Sequence, residues 1–131
     1  MNVFYNTIVF VHNLTVSKHF YEKIIGLNVE QSYETIVFFE NHFVIHEAEA
    51  IISTIYGQKQ QTKEKQGQNN LLIYFETDDI HASYQNMVNN KVNIIHPIIK
   101  QQWGQQVFRF YDPDGHIVEI GEAMHLEYLK K

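Results

Sequence analysis

Apolar and polar positions along this chain follow two alternating periods. Thr7 to Val11 is a β-branched, apolar run of the kind that forms a buried strand. Val16, Phe20, Ile24 and Leu27 then recur at helical spacing. Asn13 or Thr15 can cap the start of that helix, and Gly26 is a natural stop. Two strands are predicted at Thr35–Phe39 and Phe43–Glu47, with Asn41-His42 as the turn between them and room for a short strand near Asn28–Ser32.

The order then repeats. Leu71–Thr77 reads as a strand, and Asp78 or Asp79 caps a helix whose apolar face is Ile80, Tyr84, Met87 and Val88. Asn89-Asn90 is expected to end it in the left-handed conformation. Val92–Ile95 is a short strand, and Gln106–Tyr111 with His116–Gly121 forms a final hairpin. Each half is a β-α-β-β-β module with a one-faced sheet that cannot bury itself alone, so the modules must pair with each other or with another subunit. The expected organisation is one domain, 1–131, with module one about 1–57, a polar Gln/Lys-rich linker about 58–69, module two about 70–122 and a tail at 123–131.

The turn of the last hairpin, Asp112-Pro113-Asp114-Gly115, sets its register. Pro113 pre-sets the backbone, Asp112 can bond back to it, and Gly115 supplies the positive φ of a type I turn with a following bulge. Asp112 then faces His116, and Arg109 lies opposite Glu119 with Val107, Tyr111, Ile117 and Gly121 on the same face. An acid and a base side by side are either an ordinary cross-strand pair or the organising charge of a pocket.

Composition narrows the classes. The 131 residues are 44% apolar, which excludes disorder and suffices for one core. A net charge of −5 gives no basic footprint for nucleic acid. There is no cysteine, so disulfides, thiolate catalysis and Cys-ligated zinc are excluded. The start lacks a basic n-region, and no run approaches a membrane span, so a cytoplasmic protein is expected. Neither a Gly-x-Ser-x-Gly elbow nor a Gly-rich phosphate loop is present.

Three passages together resemble the vicinal oxygen chelate superfamily of glyoxalases, bleomycin-resistance proteins and extradiol dioxygenases. They are Asn13-Leu14-Thr15-Val16-Ser17-Lys18-His19-Phe20-Tyr21 running on to Ile25-Gly26, Ile73-Tyr74-Phe75-Glu76-Thr77-Asp78-Asp79-Ile80, and Asp112-Pro113-Asp114-Gly115 followed by Glu119. The resemblance implies an α+β fold of paired βαβββ modules forming a half-open, glyoxalase-like β-barrel with helices on the outside, and a homodimer. It also implies four ligand positions for a divalent metal. Carried over, these fall on Asn6, His46, Leu72 and Glu119. His46 and Glu119 are competent ligands, Asn6 is weak and neutral, and Leu72 cannot ligate. A two-residue slip would bring Asn70 in place of Leu72, which is hardly better.

The reading that follows is a glyoxalase- or bleomycin-resistance-like protein that binds a small molecule in a barrel pocket, with a degraded metal site and no tightly held cofactor. Arg109, Trp103, Tyr111, Asn6 and Leu72 are the expected ligand-binding residues. Trp103 is favoured as pocket-lining because it follows a polar loop. Tyr5, Phe39 and Tyr74 can also reach the mouth, or serve as core or dimer contacts. The alternative is a lyase or dioxygenase that uses Zn, Ni, Fe or Mn on His46 and Glu119. His12, His19, His42, His81, His96 and His125 are expected to be solvated at turns or polar faces, with His46 and His116 set apart as the two to watch.

Overall fold

The computed structural model describes residues 1–124, so His125 and the tail beyond Met124 lie outside the described residues. The chain divides into two compact units, the first Met1–Gln66 and the second starting at Gly67. Each contains one four-stranded mixed sheet built on a βαβββ order, which makes the class α+β.

In the first unit the strands are β1 (Ile8–Val11), β2 (Val29–Ser32), β3 (Ile36–Phe39) and β4 (Val44–Glu47), arranged β1-β4-β3-β2. Strand β1 runs parallel to β4, and the other pairs are antiparallel. Helix α1 (Leu14–His19) follows β1; Asn13 caps it by accepting from the Val16 N–H at 3.1 Å. It continues into a wider π-type turn over Phe20–Ile25, closed by Gly26 at φ 98°. The wider winding moves the buried face. Val16, expected inside, is 48% exposed, and Ser17 is buried beside Phe20 and Tyr21. Tyr21 then packs on Phe39 and Phe43, with ring centroids 6.2 and 4.9 Å away.

A helix not predicted from the sequence, α2 (Ala48–Tyr56), follows β4 directly. Glu47 caps it by accepting from the Ala50 N–H at 3.3 Å, and Gly57 ends it at φ 76°.

The second unit holds β5 (Leu72–Thr77), α3 (Ile80–Asn89), β6 (Asn93–Lys100), β7 (Gln106–Tyr111) and β8 (Ile117–Glu122), in sheet order β5-β8-β7-β6. Asp79 caps α3 by accepting from the Ala82 N–H at 3.0 Å. The left-handed residue after the helix is Lys91 at φ 57°, not Asn89 or Asn90. Strand β6 runs well past the expected Ile95. Pro97 is tolerated inside it because β6 is an edge strand with two register irregularities.

Ile80 and Met87 are buried, and Tyr84 meets Phe108 edge to face at 5.1 Å. Phe108 and Phe110 therefore point toward α3. Burying side chains of this size contributes about 1.5–3 kcal/mol each. By strand alternation, Val107, Arg109 and Tyr111 point to the sheet's other face.

The segment read as a solvated linker is partly anchored. Gly67 is half-buried, and its N–H donates to the Asp114 carbonyl at 3.0 Å. Among the described residues, no helix is long and apolar enough to cross a membrane.

Candidate functional site

The final hairpin has the expected register. The Asp112 carboxylate accepts from the Asp114 and His116 N–H groups, both at 2.9 Å, and Gly115 takes φ 78°. This turn pairs Tyr111 with Ile117, Arg109 with Glu119 and Val107 with Gly121. Parallel pairing adds Leu72 beside Ile117, Tyr74 beside Glu119 and Glu76 beside Gly121. On the other side His96 pairs with Arg109. The face away from α3 therefore carries a polar row, His96–Arg109–Glu119–Tyr74, that crosses all four strands. An apolar row of Leu72, Ile117 and Tyr111 lies next to it.

Three members of the polar row, His96, Arg109 and Glu119, are bonded in series. Arg109 Nε donates to Glu119 Oε1 at 2.7 Å, with side-chain exposures of 28% and 11%. The Arg109 Nη1 and His96 Nε2 atoms are 3.2 Å apart, and His96 Nδ1 lies 2.7 Å from the Pro97 carbonyl. A carbonyl can only accept and a guanidinium can only donate. His96 must therefore carry its proton on Nδ1 and accept from Arg109 through Nε2.

A second chain of bonds joins the row at Tyr74. Trp103 Nε1 donates to Gln105 Oε1 at 2.9 Å. The indole N–H only donates, which fixes the orientation of the Gln105 amide. Its Nε2 donates to the Tyr74 hydroxyl at 2.7 Å and the Glu122 carbonyl at 2.8 Å. Tyr74 in turn donates to Glu76 Oε2 at 2.6 Å. Gly121 leaves the space that the amide fills: a Cβ there would lie 2.5 Å from Gln105 Nε2.

Loss of water around the Tyr74 hydroxyl, and then its bond to Glu76, push the phenol from 10.0 up to about 12. The folded chain keeps a proton that the unfolded chain releases. The stabilisation is thus complete below pH 10.0 and is lost as pH rises toward about 12. Phenolate difference absorbance between the chain and Tyr74→Phe should show this late titration. Glu76→Gln should bring it earlier; an unchanged midpoint would mean that Glu76 does not hold the proton.

Of the expected site residues, Arg109 and Glu119 are bonded to each other, and Leu72 and Tyr111 flank them on the same face. Trp103, 61% exposed, reaches the row through Gln105. His46 and Asn6 belong to the first unit. His46 pairs with Phe10 and Ile36 on the sheet face opposite Tyr21, with Nδ1 3.3 Å from the Glu47 carbonyl. Asn6 precedes β1 and is half-buried. His12, His19, His42 and His81 are exposed as expected, whereas His116 is buried. His96, expected to be solvated, instead bonds to Arg109. Gln105 was missed. The signals that could have found it are its place two residues after Trp103 and the absence of a side chain at Gly121.

The metal-ligand set implied by the resemblance does not fit these residues. Glu119 Oε1 is held by a guanidinium, and Leu72 offers no donor atom. Among the described residues, no three His, Cys, Asp or Glu side chains are grouped so as to hold a metal ion.

The profile of the glyoxalase-like domain matches residues 4–125. This chain therefore belongs to the glyoxalase-like domain family, within the vicinal oxygen chelate superfamily. A crystal structure of a protein of unknown function from Agrobacterium tumefaciens strain C58 is 41% identical; the match covers 95% of this chain and 96% of that one, with a TM-score of 0.86. The chain is 24% identical over 115 residues to the uncharacterized protein YraH of Bacillus subtilis strain 168, a match covering 84% of this chain and 90% of that protein. A lactoylglutathione lyase from Agrobacterium tumefaciens shares the fold at 18% identity, over 94% of this chain and 95% of that one, with a TM-score of 0.70.

Proposed function

We propose that this chain is a small-molecule-binding member of the family, with a site organised by the Arg109–Glu119 pair in place of a metal ion. One observation carries the reading: the family's last ligand position, Glu119, is bonded at 2.7 Å to a fixed cation supplied by the neighbouring strand. A guanidinium there supplies positive charge and directed N–H donors but leaves no open coordination position for a bidentate substrate. The aromatic rings of Tyr74, Tyr111 and Trp103, with a few committed polar groups, match the make-up of a ligand pocket.

The test is elemental analysis of protein purified without a metal-affinity tag. No stoichiometric Zn, Ni, Fe or Mn is expected. One tightly held metal per chain, lost in Glu119→Gln, would overturn the reading. It would favour a metal-dependent lyase or dioxygenase with His46 and Glu119 as ligands.

A further inference from the structure

Among the described residues, the hydrogen bonds of the polar row leave three N–H groups of Arg109, two of them on Nη2, and one carboxylate oxygen of Glu119 uncommitted. Arg109 has five N–H groups. Nε–H is taken by Glu119 Oε1 and one Nη1–H by His96. Among the described residues, Nη2 has no partner. The Nε–H and one Nη2–H of a guanidinium point the same way, and a carboxylate taking both would be bidentate. Here only Oε1 is engaged, and Glu119 Oε2 has no hydrogen-bond partner among the described residues.

The neighbouring groups cannot fill these valences. Both nitrogens of His96 are committed, to Arg109 and to the Pro97 carbonyl. The Tyr74 hydroxyl accepts from Gln105 and gives its only proton to Glu76, so it offers the site a ring and no donor. Ile117 and Tyr111 border the pair in the adjacent row.

The geometry points to a ligand that carries a carbonyl oxygen beside an N–H on one planar edge, that is, a lactam or primary amide. This deepens the proposed metal-free binding function and rests on it. The carbonyl accepts from Arg109 Nη2–H while the N–H donates to Glu119 Oε2, closing a two-bond ring. A carboxylate in that same position, between Nη2 and Oε2, places a second anion against Oε2. A ketone leaves Oε2 unmatched, in a place where Glu119 is only 11% exposed to water. An alcohol satisfies one valence at a time.

The only tryptophan, Trp103, gives a single indole N–H resonance through which binding is read on the full chain. With a chelator present, benzamide, acetophenone and benzoate are titrated separately. Benzamide and acetophenone have nearly the same shape and differ in the N–H; benzoate replaces it with a charged oxygen. Benzamide is expected to bind at least about tenfold more tightly than either, the weight of a hydrogen bond to a charged group. In Glu119→Gln, whose amide can donate and whose charge is gone, the preference should move toward benzoate. Equal binding of benzamide and acetophenone, or tighter binding of benzoate to the unaltered chain, overturns the amide assignment and leaves the pocket standing. Binding of none of the three overturns the pocket as well.

Discussion

Arg109→Ala is expected to destabilise the chain by about 2–4 kcal/mol, and Glu119→Ala by clearly less, about 1–2 kcal/mol. The asymmetry comes from exposure. Glu119 is 11% exposed and Arg109 28%. Removing the guanidinium strands a carboxylate among strands, while removing the carboxylate leaves a guanidinium that can still reach water and His96. A double-mutant cycle in denaturant should give a coupling of about 1–3 kcal/mol. A coupling near zero reduces the pair to a surface contact, worth about 0–1 kcal/mol, and removes the basis for a charge-organised site.

Gly67→Ala is the second large effect, expected to cost about 2–3 kcal/mol through overpacking. A Cβ at position 67 collides with the Gly115 carbonyl and comes within 2.6 Å of the His116 nitrogen. All of these are backbone atoms, so no side chain can swing aside. The strain falls on the same turn that sets the Arg109–Glu119 register. Thermal unfolding should show the loss, and the amide resonances of Asp114 to His116 should shift with it. An unchanged melting temperature would mean that this segment does not rest on the turn.

Much of the second unit was legible because its decisive signals are local. Four turn residues, Asp112 to Gly115, set the pairing of two strands and hence which residues oppose each other. What was not legible depended on signals that compete. Pro97 reads as the end of a strand, and only an edge position with a disrupted ladder allows β6 to run on through it. A strand that ends at Ile95 leaves His96 outside the sheet and outside the polar row. Helix α2 was hidden because Ile51, Ile52, Thr54 and Ile55 are β-branched, while its cap is the last residue of a strand. The π-type turn over Phe20–Ile25 breaks the single helical period read across Val16, Phe20, Ile24 and Leu27, and within α1 the buried position is Ser17 and not Val16. Gln105 acts through space, across to β5, and no spacing rule connects it to Tyr74.

Pro97 has one more consequence, for solubility. A free sheet edge is a template on which a second chain can extend the ladder, and long flat edges seed aggregates. Strand β6 is the outer strand of its sheet, and it lacks an N–H at position 97 where the register is already broken on both sides of His96. An incoming strand meets a gap in the row of donors and a change of twist within a few residues. The backbone itself makes that side of the sheet a poorer template for growth, whatever side chains surround it.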